Sequence, residues 1–191
     1  MWKHGEQTDA WIVVALTLWL GVLATAAFNA AIIFPTIRDM HANVPGLVLP
    51  TEDHWKYIAG KVQFKVFAMS DWVQLACAAV MVVLTVFQSL RERGQMIGLV
   101  LWRARLVLVI VSAALLAYYL FSFMPDVRHQ LSTMWNALDK GDVEGAKAAQ
   151  AAFDKGHPIS SKILGAMVLL TLVNMVLTAA SIGRNPKTKV M

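Results

Sequence analysis

Four long apolar stretches, separated by clusters of charge, dominate the chain. No Asp, Glu, Lys or Arg occurs between Asp9 and Arg38, between Asp71 and Arg91, between Arg105 and Asp126, or between Lys162 and Arg184. The hydrocarbon core of a bilayer takes about 20 apolar residues in helical form, so each stretch is long enough to cross it. Membrane-barrel strands would instead alternate apolar and polar side chains over about 10 positions, and these stretches do not alternate. The expectation is an all-α polytopic membrane protein, a four-helix bundle forming a single domain, 1–191. Its spans fall at about 11–34, 67–89, 98–124 and 160–183, with outer loops at 35–66 and 125–159. The first span is too long for the apolar region of a signal peptide, which runs about 7 to 15 residues.

Breaks and caps divide the chain further. Phe34-Pro35 closes the first span, and Pro45, Gly46 and Pro50 interrupt the loop after it. Thr51, followed by Glu52 and Asp53, reads as a helix N-cap with an acidic first turn. The aromatic and lysine-rich segment beyond it predicts an interfacial helix running into the second span, with Trp55, Tyr57 and Trp72 as anchors. Arg103 and Arg105, at the start of the third span, are expected to snorkel to the headgroups. After Pro125, two short amphipathic runs predict an outer helical hairpin. Val127, Leu131, Met134 and Leu138 form one face, ended by Gly141; Asp142 caps a second run of Val143, Ala146, Ala149 and Phe153, ended by Gly156. Pro158 and a capping Ser160 or Ser161 then open the last span.

Composition agrees with this class. Only 15% of the residues are charged, against roughly a quarter in a soluble domain. The net charge of +5 comes from basic residues spread along the chain, which argues against a nucleic-acid partner. The short inner segments hold Lys3, Arg91, Arg93, Arg103, Arg105, Arg184, Lys187 and Lys189 against Glu6, Asp9 and Glu92. By the positive-inside rule both termini are cytoplasmic, and a bacterial inner membrane is the expected location. Cys77, the lone cysteine, has no partner for an internal disulfide.

Chemistry is sparse. His41, His54, His129 and His157 share the two outer loops with several carboxylates, a donor set suited to Zn or Cu(II). Their spacings match no metal motif, and ordinary roles as polar-tipped, helix-capping rings explain them better than a metal site does. No histidine lies deep in a span, which argues against haem held between helices. Met81, Met167 and Met175 read as gap-fillers in helix packing. The in-span polar residues Asn29, Asp71, Gln74 and Asn174 are costly to bury, and so point inward. They predict either a polar pocket open to the outer side or plain interhelical hydrogen bonding, with Asp71 paired to Lys65 or Arg128. On the first span Gly21 and Thr25, Ala26 and Ala30, and Ala27 and Ala31 stack small residues one turn apart, which lets another helix approach closely.

The motifs "LWLG" at 18–21 and "IIFPTIRD" at 32–39 resemble the opening helix of the transmembrane-protein-205-like family of small four-helix membrane proteins. Phe153, His157, Ser160 and Ser161 are similar to a Phe, His and Ser pattern at the head of that family's last helix, and Asn174 to an Asn further along it. Pro158, and one extra residue between the Phe and the His, depart from the pattern. The resemblance implies a four-span fold and no reaction. The functional expectation is therefore a non-catalytic accessory or structural subunit, its partners being lipid and other membrane subunits or a second copy. The alternative is an oligomeric handler of small solutes or metal ions. No cofactor beyond lipid contacts, and at most a metal, is expected.

Overall fold

The computed structural model describes residues 4–91 and 99–182. Among them the chain is all helical apart from short connections. Helix α1 spans His4–Asp39, α2 His54–Arg91, α3 Leu99–Tyr118, α4 Met124–Asp139 and α5 Val143–Ile182. Four helical stretches are long and apolar enough to cross a membrane, Thr8–Asp39, Thr51–Leu90, Val100–Asp139 and Val143–Ser181. The protein is thus an all-α, multi-pass membrane protein.

The expected outer loops are mostly helix. Only 40–50 and 140–142 interrupt the helices there, apart from a 3-10 turn at Thr51–Asp53. Thr51 does not cap α2; Pro50 precedes the 3-10 turn and no side chain caps it. The expected interfacial segment is the first half of α2 itself. Its apolar face packs on α4, where the Phe64 and Trp135 rings meet edge to face at 5.3 Å. A Cβ on Gly60 would lie 3.8 Å from Trp135 Cζ2, so the indole ring packs over the α2 backbone there.

The third span does not stop at Met124. A π turn, Tyr119–Phe123, carries α3 directly into α4. A proline ring collides with the carbonyl four residues before it, and the wider π turn just ahead of Pro125 relieves that collision. Gly156 and Pro158 likewise fail to break α5, which runs unbroken for 40 residues. Intrinsic propensity charges about 1 kcal/mol for Gly and about 3 for Pro in a helix interior. Packing overrides both. Ala146 and Ala149 are buried before the predicted joint, and a Cβ on Gly156 would lie 3.4 Å from Val127 Cγ2. Ser161, expected as a cap, instead donates its hydroxyl to His157 O at 3.3 Å inside the helix.

The hairpin tip matches the sequence. Gly141 turns with φ +79°, and Asp142 Oδ1 accepts the Gly145 N–H at 2.9 Å, capping α5. Ala137, Leu138 and Ala146 form a small core there, with Leu47, Leu49, Tyr57 and Met134 against it.

Within the single domain expected, the chain forms two compact units, one of Met1–Leu23, Trp72–Leu116 and Gly165–Met191, the other of Ala24–Asp71 and Ala117–Leu164. The first unit's core includes Ile12, Leu16, Trp19, Met81, Leu116 and Met167. Met81 and Met167 are fully buried, as gap-fillers should be. The second unit holds the hairpin tip, the 40–50 loop and the upper part of α2.

Candidate functional site

Asp71 sits on the buried face of α2 with 5% of its side chain exposed. Arg128, in the first turns of α4, donates Nη2 to Asp71 Oδ2 at 2.6 Å. Lys65, the other expected partner, is exposed. Arg128 reaches this position because the chain re-enters α geometry after the π turn, whose extra residue resets which face follows. The short, charge-assisted bond stabilises the carboxylate where water is scarce. Asp71 Oδ1 is buried and has no hydrogen-bond partner among the described residues. Tyr119, buried within the π turn, lies beside Ser160 and in the field of Asp71. The arrangement offers one buried acceptor oxygen without a partner among the described residues, on a carboxylate whose other oxygen holds a guanidinium. Such a group can take a proton, a cation or a hydrogen-bond donor.

The four residues expected to form a pocket divide between the units: Asn29 and Asp71 fall in the second, Gln74 and Asn174 in the first. Gln74 and Asn174 are buried, and Gln74 Oε1 and Asn174 Oδ1 have no hydrogen-bond partner among the described residues. Asn29 is only half-buried. Some of the remaining buried hydroxyls bond locally: Thr171 donates to Met167 O at 2.7 Å and Thr178 to Asn174 O at 2.8 Å.

Sequence reasoning missed a second charged network. Arg105 does not snorkel; it is 5% exposed and donates Nη1 and Nη2 to Asp9 Oδ1, each at 3.2 Å. Gln88 Nε2 donates to the same oxygen at 3.1 Å, and Gln88 Oε1 accepts from Arg105 Nη2 at 3.3 Å. The signal was present, because Asp9, Gln88 and Arg105 all lie close to the ends of their apolar stretches. Gln63, also unremarked in the sequence, donates from the buried face of α2 to Ala26 O at 3.2 Å.

The outer histidines have separate roles. His54 is 3% exposed; its Nδ1 accepts the Val44 N–H at 3.0 Å and its Nε2 meets Leu49 O at 2.9 Å. Accepting at Nδ1 and donating at Nε2 fixes a neutral ring, with both nitrogens committed to holding the 40–50 loop. His157 is exposed, its ring 5.2 Å from that of Phe153 one turn earlier. His41 and His129 are exposed as well, His41 with φ 47°. Among the described residues no group of three His, Cys, Asp or Glu is placed to hold a metal ion. A cluster beside these histidines joins Tyr57, Lys61 and Asp139: the Tyr57 hydroxyl donates to Asp139 Oδ1 at 2.5 Å and also meets Lys61 Nζ.

The site therefore belongs to an all-α multi-pass membrane protein in which, among the described residues, two ion pairs have a buried partner, Arg105–Asp9 and Arg128–Asp71. Compared with known proteins, the chain matches no family model, no curated protein and no solved structure.

Proposed function

We propose that the chain is a non-catalytic accessory or structural subunit of a larger membrane assembly. The observation that carries this reading is the uncovered small-residue face of α1. Gly21, Thr25, Ala27 and Ala31 are exposed, and a Cβ built on Gly21 would meet no atom within 4 Å. Small residues let helix backbones approach closely in a bilayer, where close packing drives association. Asp9 and Arg105, and likewise Asp71 and Arg128, are meanwhile engaged with one another inside the chain. Both termini in the cytoplasm of a bacterial inner membrane, and membership of the transmembrane-protein-205-like family, belong to the same proposal.

Native mass spectrometry of the gently extracted protein tests it. Co-migration with other subunits or with a second copy is expected, and Gly21→Leu should abolish it. Because the space around Gly21 is open, that variant leaves the chain's own packing untouched. A lone chain in both samples rejects the reading.

A second reading is favoured by the unpartnered Asp71 Oδ1: an oligomer handling small solutes or metal ions through this carboxylate. In that case Asp71→Asn stops solute movement into vesicles while the fold survives. Unchanged flux removes it.

A further inference from the structure

Between α4 and α5 lies a crevice of about 340 Å³, at the lower end of the roughly 300–1,000 Å³ typical of small-molecule sites. It is built by one spacing used twice. Phe123, Asp126, Val127 and Gln130 line it from one side, and Ala152, Lys155, Gly156 and Ile159 repeat that spacing on the other. These are the helical offsets that keep residues on one face. Gly156 makes room, since its missing side chain leaves Val127 and Phe123 as the apolar wall. The π turn ends at Phe123, and such turns recur at functional sites.

The polar groups in the crevice are specific. Asp126 and Lys155 stand nearly the same number of residues from the Gly141 turn, so they fall at one level of the hairpin. Both are exposed, and they form no ion pair with each other. Gln130 Oε1 is buried and has no hydrogen-bond partner among the described residues. One carboxylate therefore sits beside one ammonium and an apolar wall, with the Gln130 amide oxygen buried beneath them. A complementary ligand carries a cation with N–H donors, an anion within reach of Lys155, and an apolar part. The level agrees: at 1.5 Å per residue, Asp126 lies about 3 Å beyond the expected end of the third span and Lys155 about 7 Å beyond that of the fourth. Lipid headgroups occupy this depth.

We infer that the crevice binds the headgroup of phosphatidylethanolamine from the outer leaflet. Its primary ammonium donates to Asp126, its phosphate accepts from Lys155, and its upper acyl chain lies along Phe123, Val127 and Ile159. Phosphatidylcholine has the same charges but a quaternary nitrogen without N–H donors, and phosphatidylglycerol lacks the cation. The inference stands whether or not the chain is a subunit of something larger.

Native mass spectrometry of the full-length protein, with dioleoyl phosphatidylethanolamine, phosphatidylcholine or phosphatidylglycerol added, tests it. The ethanolamine lipid is expected to be retained about tenfold better than either of the others, the worth of one charge-assisted bond. Asp126→Asn should erase that preference and Lys155→Gln should lower retention of all three lipids; both positions are exposed enough to leave folding intact, which circular dichroism checks. Ile159→Trp, at a half-exposed lip, should block binding without touching a charge. Equal retention of the ethanolamine and choline lipids overturns the inference, as does full retention by the charge variants. So does a lipid-free dimer disrupted by Ile159→Trp, which would assign the crevice to a second copy.

Discussion

Arg105 meets Asp9 through two nitrogens at 3.2 Å and draws Gln88 into the same network, whereas Arg128 meets Asp71 through one nitrogen at 2.6 Å. The first is a closed triangle, each member bonded to the other two. In the second, the carboxylate keeps a buried oxygen unpartnered and the arginine side chain is 36% exposed. The same pair of residue types thus does two jobs. A network closed on itself pins three helices; one with a buried acceptor that has no partner among the described residues, and a solvent-reachable cation, can exchange partners. Counting ion pairs would have ranked the two as equal.

The comparison breaks most easily at the closed network. Arg105→Met strands the Asp9 charge together with Gln88, and removing one partner of a buried pair costs about 3–5 kcal/mol. Thermal unfolding in a mild detergent should register this loss, while the double variant Asp9→Leu with Arg105→Met recovers most of it. A single-variant loss no larger than that of Arg128→Met would end the distinction between the networks. His54→Ala comes next. It removes two hydrogen bonds that hold the 40–50 loop, at about 1 kcal/mol each. Amide exchange should quicken at Val44 first, and a rate unchanged there would show that the loop has another tether.

Arg128→Met is expected to cost less, about 1–2 kcal/mol, because a partly exposed cation contributes less and Asp71 can take up a proton. Adding Asp71→Asn to Arg128→Met should restore stability, since no charge then remains to be paired. If the pair of substitutions is worse than Arg128→Met alone, the carboxylate has a further partner. Gln63→Leu gives the smallest effect, about 0.6 kcal/mol, the usual size of an interhelical hydrogen bond in a membrane protein. The same unfolding assay resolves it only as a small shift relative to wild type.

Much of the fold was legible because the bilayer imposes a coarse rule. Charge-free runs at 10–37, 72–90, 106–125 and 163–183 are read by length alone. The Gly141 turn and the Asp142 cap were also readable, since both are local: a left-handed φ and an Asx-type bond to a residue three positions on. Gly156 and Pro158 misled for the opposite reason. Their cost is local, but what overrides it is packing against a segment distant in sequence, whose Val127 Cγ2 would lie in contact with a Cβ at Gly156, 3.4 Å away. Helix length erred in the same direction throughout: α1 runs through Pro35 to Asp39, and the two hairpin arms, expected as separate helices, continue the third and fourth spans without a break.

At the candidate site the division is similar. Asp71 announced itself as an acid within an apolar run, and Arg128 was one of two partners its position allowed. Arg105 looked like its neighbour Arg103, and nothing local separates them. One is exposed and the other is buried against Asp9, ninety-six positions away.

By itself the sequence determined the class, the number of spans and the turn at Gly141, because partition between water and lipid and backbone sterics act residue by residue. The tertiary structure alone decided where the helices continue through glycine and proline, which arginine is buried, and that Asp71 keeps an oxygen in reserve. Each of those outcomes depends on which side chain a second helix brings alongside, and in a low-dielectric interior a single contact at hydrogen-bond distance outweighs local preference.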